Sequence, residues 1–130
     1  MKKIFIAGLL LTLMVAPSLA QSLKFPNAML GSWCAVDDGE EGLVRLSDMP
    51  LNSNGVPECG GADNHMYVGR KDLGGHEVSC KARGITRHRD ALQVRYRCNT
   101  HREHWWNETV RLQLIKNGTR LKFERIKSTQ

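Results

Sequence analysis

Four groups of side chains in this 130-residue chain combine residue types and spacing that could do chemistry. The first is His76-Glu77, an imidazole beside a carboxylate directly after Gly74-Gly75. Such a pair can move protons, but hydrolysis also needs a nucleophile held against its base. Ser79 has no nucleophile-elbow motif and Cys80 is claimed by a disulfide below, so His76 and Glu77 are expected to be structural, anchoring a tight glycine turn. The second is His101-Arg102-Glu103-His104. Zinc proteases use H-E-x-x-H on a helix; here the spacing is one residue short, and on a strand residues three apart point to opposite faces. No metal is expected at this pair. The third, Asp37-Asp38-Gly39-Glu40-Glu41, places four carboxylates around one glycine but lacks the spaced oxygen ligands of a calcium loop. It reads as a hairpin tip. The fourth is a set of arginines, Arg83, Arg87, Arg89, Arg95 and Arg97. None of the four amounts to a catalytic, cofactor or metal signature, and the chain is expected not to be an enzyme.

The four cysteines, Cys34, Cys59, Cys80 and Cys98, are widely scattered, with no C-x-x-C pair of the kind that holds zinc. An even number in a small exported domain implies two disulfides. Val78, Cys80 and Ala82 alternate along one run, and Leu92, Val94, Tyr96 and Cys98 along the next. Arg87-His88-Arg89-Asp90 lies between them as a polar turn. A hairpin centred on residue 89 sets position 80 opposite 98, which predicts Cys80–Cys98 and leaves Cys34–Cys59 to tie a Pro- and Gly-rich loop, residues 49–64, onto the first strand. Each bridge should contribute roughly 3 kcal/mol.

The remaining elements that must position these groups read as short strands over residues 30–36, 42–46, 66–69, 77–83, 92–98, 105–115 and 120–126, most with period-two alternation. Trp106, Val110, Leu112 and Leu114 share one face, and Asn117-Gly118 supplies a type I′ turn to Leu121 and Phe123. The predicted class is all-β: a small antiparallel barrel or sandwich in meander order, stapled by two disulfides.

Ahead of this domain Lys2 and Lys3 precede an apolar run from Ile4 to Ala16, and Ser18-Leu19-Ala20 forms a small-x-small end. That is a secretory signal peptide over residues 1–20, too short to span a bilayer, which needs ~20 apolar residues. Residues 21–130 are then expected as a single β domain without a transmembrane segment, periplasmic or secreted.

Charge is uneven. Residues 21–65 hold seven acids against Lys24 and Arg45, whereas residues 66–130 hold fifteen bases against six acids. Arg95 and Arg97 alternate with the apolar side of their run, and Arg83, Arg87 and Arg89 lie on or near the neighbouring one, which predicts a cationic patch outside one hairpin. A patch of that kind attracts an anionic envelope component or a protein. Nucleic acid is not expected, because the chain is exported and its aromatics are few and mostly on core faces.

Gly31-Ser32-Trp33-Cys34 resembles the G-x-W opening strand of lipocalin-like barrels, which implies that Trp33 closes one end of a barrel. Taken with Cys59 in its Gly-rich loop, G-H-E-x-S-C at 75–80, Cys98 and a tryptophan strand near 105, the chain resembles a set of uncharacterised small exported bacterial proteins. That resemblance implies fold and compartment and transfers no activity. The expected function is a non-catalytic exported domain that binds through its cationic hairpin. The alternative is a small inhibitor of a secreted hydrolase, a protease or lysozyme, acting through residues 51–63.

Overall fold

The computed structural model describes residues 25–100 and 103–129. The expected leader and His101 lie outside them. Eight antiparallel strands close a barrel in the spatial order β1-β2-β8-β7-β6-β5-β4-β3. They are β1 (Gly31–Cys34), β2 (Leu43–Arg45), β3 (His65–Val68), β4 (Asp72–Gly75), β5 (Val78–His88), β6 (Ala91–Thr100), β7 (His104–Ile115) and β8 (Arg120–Thr129). From β3 to β8 the chain is a meander, with β1 lying between β2 and β3. The connection from β2 to β3 therefore has to pass β1. The Cys34–Cys59 bridge joins that connection to the last residue of β1.

Alternation explains the core. Trp33, Val68, Val94, Tyr96, Leu112 and Leu121 are fully buried in the barrel interior. Most of their neighbours in sequence face outward, which gives the strands one apolar and one polar side; Cys34, beside Trp33, is buried as well and is bonded to Cys59. At one end Phe25 and Met29 join the core, and the Trp33 indole N–H donates to the Met29 carbonyl at 3.0 Å. The Arg45 guanidinium stacks 4.3 Å from the centre of the same ring and donates to the Leu30 and Ala28 carbonyls. Trp33 is thus held on both an apolar and a cationic side.

Cys80 is bonded to Cys98, directly opposite it in the β5–β6 ladder. The register achieves this through two features that offset one another. The turn consists of Arg89 and Asp90, between paired His88 and Ala91, so its centre lies half a residue later than expected. A bulge between Ala82 and Gly84 accommodates the extra residue Arg83 and shifts the ladder back by one. Without it Cys80 would face Asn99.

Three local features depart from the sequence reading. β4 contains Gly74 and Gly75, which are strand residues and not the turn; the turn is His76-Glu77, with Glu77 left-handed at φ 60°. The β7–β8 loop spans four residues, Lys116 to Thr119, with Lys116, Asn117 and Gly118 all at positive φ and two overlapping turns closed by Gly118 N–H to Ile115 O and Thr119 N–H to Lys116 O. The acidic tract is exposed, as a hairpin tip should be, but its carboxylates are paired. Arg120 pairs with Asp38 and with Glu40 at 3.2 Å, and Lys122 pairs with Glu41 at 3.1 Å, which straps the β1–β2 loop to β8. Gly42 makes that approach possible: its φ is 95°, and a Cβ there would sit 3.1 Å from Arg120 and Ile115 side-chain atoms.

Candidate functional site

The outer face of β5, β6 and β7 collects most of the arginines expected to act together. Inward Cys98 pairs with Trp106 and inward Val94 with Val110, so the residues between them face out in cross-strand rows. One row is Ser79, Asn99 and Trp105; the next is Lys81, Arg97 and Asn107; the third is Gly84, Arg95 and Thr109. Arg83 occupies the bulge beside the third row and Arg89 stands in the turn, whereas Arg87, expected on the same patch, pairs with inward Leu92 and has the inward parity, so it is exposed but does not share this face. Lys81, Arg83, Arg87, Arg89 and Arg95 are exposed and form no ion pair among the described residues.

Two of these cations are positioned by uncharged neighbours. The Arg95 guanidinium lies across Gly84, where a Cβ would come within 2.5 Å of its Nη2. Glycine here supplies a flat seat, not backbone freedom. Arg97 donates from Nη1 to Asn107 Oδ1 at 3.3 Å and lies 5.5 Å from the centre of the Trp105 ring. Trp105 keeps 45% of its surface exposed. Other cations of the barrel contrast with this set. Arg120 and Lys122 hold the acidic strap, Arg111 lies 3.9 Å from Glu124, and Arg125 is bound to Glu108. In the strap, the hydrogen bond from Arg120 holds the Asp38 carboxyl below the usual range, and bonds to Glu124 and Glu41 raise Lys122.

His76 Nε2 lies 3.7 Å from both Glu77 Oε1 and Asp63 Oδ1, so the imidazole sits between the β4–β5 turn and the short 3-10 turn Ala62–Asn64. All three side chains are largely exposed. His104 stands 5.6 Å from Trp106 in a tilted ring contact.

One internal polar group escaped the sequence reading. Glu108 shares the inward parity of Trp106, Val110 and Leu112 and is buried, with 5% of its surface exposed. The Trp106 indole N–H donates to its Oε2 at 3.2 Å, and Arg125 Nε reaches its Oε1 at 2.5 Å. Its carboxylate also adjoins Cys80 and Cys98, but both sulfurs are consumed in the disulfide and supply no thiolate for a metal. The parity of residues 106 to 114 was the available signal for Glu108.

The connection stapled by Cys59 carries a small hairpin of its own. Leu51 bridges Pro57, and Asn52 N–H donates to Val56 O at 2.8 Å. The Asn52 side chain accepts from the Asn54 and Val56 N–H groups and donates to Glu58 Oε2 at 3.2 Å. The tip is thereby rigid, and it presents Leu51 and Val56 at 67% and 54% exposure. A surface cleft of about 310 Å³ beside the acidic strap is lined by Ala35, Val36, Leu43, Leu121 and Phe123, and Lys122 there holds both Glu41 and Glu124.

No protein-family model, curated protein or solved structure matches the chain. Its functional reading rests on the chemistry of these surfaces. Among the described residues no helix is long and apolar enough to cross a membrane.

Proposed function

We propose that this chain is an exported, non-catalytic β domain that binds an anionic envelope component through the outer face of the β5–β6 hairpin. The observation that supports it most is that Lys81, Arg83 and Arg95 crowd the outer face of the hairpin, with Arg89 at its turn, and form no ion pair among the described residues, whereas Arg111, Arg120, Lys122 and Arg125 are paired with carboxylates. Unpaired like charges repel one another and gain from a polyanion, which also accelerates encounter. Two formed disulfides are the chemistry of an oxidising compartment, in keeping with the expected leader and a periplasmic or secreted location.

Titration of the oxidised protein with acidic glycans and anionic vesicles tests the reading, alongside a variant carrying Arg83→Gln, Arg95→Gln and Arg97→Gln. Salt-sensitive binding that disappears in the variant is the expected result. Binding that survives all three substitutions would place the working surface elsewhere.

A second reading, inhibition of a secreted hydrolase, is favoured by the rigid hairpin at residues 51–57. Exposed leucine and valine on an ordered, stapled loop lose little freedom when buried in a cleft. This reading requires that Leu51→Asp abolish inhibition of a protease or lysozyme while the arginine variant retains it.

A further inference from the structure

We infer that Trp105, Arg97, Asn99 and Asn107 form a subsite for one sugar ring of an acidic polysaccharide, with Lys81, Arg83 and Arg95 receiving carboxylates further along the same polymer. This rests on the anionic-partner reading and gives it a substrate class. The four residues make a square on the outer sheet face, Asn99 opposite Trp105 and Arg97 opposite Asn107. Trp105 leaves 45% of its surface exposed on this polar sheet face, apolar surface that a ligand could cover. Here it is also fixed in place, with the Arg97 guanidinium against it and Asn107 Oδ1 bonding that guanidinium. Asn99 donates from Nδ2 to the Ser79 carbonyl at 3.4 Å, which leaves its Oδ1 as an acceptor without a donor among the described residues. Asn107, whose Oδ1 is engaged, presents its amide N–H groups.

The square therefore offers a flat apolar wall, an acceptor, two donors and a planar guanidinium. A pyranose ring has the complementary parts: an apolar C–H face, hydroxyls that both donate and accept, and in a uronate a carboxylate matched to the guanidinium fork. Outward residues alternate along a strand roughly 6.8 Å apart and strands lie roughly 4.8 Å apart. Lys81, Arg95 and Arg83 consequently follow Arg97 at distances that let one flexible polymer engage several of them at once. A bilayer surface fits less well. Sinking Trp105 among lipid headgroups would strip water from the amides of Asn99 and Asn107, which lipid chains cannot replace.

Four probes separate these cases: polygalacturonate, poly-glutamate as a carboxylate polymer without rings, dextran as rings without charge, and vesicles of phosphatidylglycerol with phosphatidylcholine. Trp33 is fully buried and Trp106 is bonded to Glu108, so Trp105 dominates any change in indole emission on binding. Polygalacturonate should bind at least about tenfold more tightly than poly-glutamate and shift the emission to the blue. Trp105→Ala should remove both the preference and the shift, and Trp105→Phe, which keeps a flat ring, should retain most of the preference. Equal binding of polygalacturonate and poly-glutamate by the unmodified protein would overturn the ring subsite and leave the cationic face standing. Trp105-dependent binding to vesicles without glycan binding would replace the sugar with a membrane surface. If no polyanion binds at all, the cationic-face reading fails together with the subsite.

Discussion

At position 108 strand alternation carries a carboxylate into the barrel, and what surrounds it determines how a substitution will behave. Glu108 accepts from Trp106 and from Arg125, whose own side chain is 70% exposed. Removing the arginine leaves a buried charge with a single neutral donor, whereas converting the acid to an amide removes the charge as well. Arg125→Ala should therefore lower unfolding stability by about 1–3 kcal/mol in urea titrations. Glu108→Gln should cost less, and the double variant should recover part of the loss. Tyr96 presents the opposite case, a buried hydroxyl without a hydrogen-bond partner among the described residues. Burial, and secondarily the charge of Asp72, raises its pKa, so the folded state holds the neutral phenol. Stability from this group is complete below the ordinary tyrosine value of about 10 and declines as pH rises above it. Tyr96→Phe should be neutral or stabilising near pH 7 and should unfold less readily than the parent in alkali, as thermal melts at both pH values would show.

Strands and loops add constraints that single residues do not. Arg95 lies flat on β5 because residue 84 has no side chain. Gly84→Ala should displace a flexible guanidinium at small cost in stability yet weaken polyanion binding, a separation that paired melting and titration experiments would detect. The acidic strap behaves as an element too, since Asp38 and Glu40 reach across to Arg120 and join a loop to the last strand. Asp38 is held below its usual 3.8 chiefly by the Arg120 hydrogen bond. Its contribution is present above that pH and disappears as pH falls through the lowered value. Asp38→Asn should accordingly flatten the acid limb of a stability–pH curve. The strap could not be read from Asp37 to Glu41 alone, because its partners are remote in sequence, Arg120 standing 82 residues from Asp38. β4 was hidden for a related reason: Asp72-Leu73-Gly74-Gly75 has one apolar side chain and two glycines, and it is a strand because β3 and β5 pair with both its edges.

For the molecule as a whole, charge is sorted as well as balanced. The acidic first half is partly neutralised by β8, and one group of cations without ion pairs among the described residues, Lys81, Arg83 and Arg95, stands together on the outer face of β5 and β6. Raising ionic strength should weaken polyanion binding steeply while moving the melting temperature little, because exposed ion pairs contribute only about 0–1 kcal/mol. The all-β class, the two cysteine pairings and the clustering of the arginines on one hairpin were legible in the sequence, because each depends on period-two alternation and on pairing between strands adjacent along the chain. Barrel closure, the place of β1 between β2 and β3, the bulge at Arg83 that keeps Cys80 facing Cys98, and the union of Trp105 with Arg97 were decided only by the tertiary structure. Alternation specifies which side of a strand is apolar. It carries no information about which distant edge that strand will meet, and that choice is made by closing the sheet around a shared core.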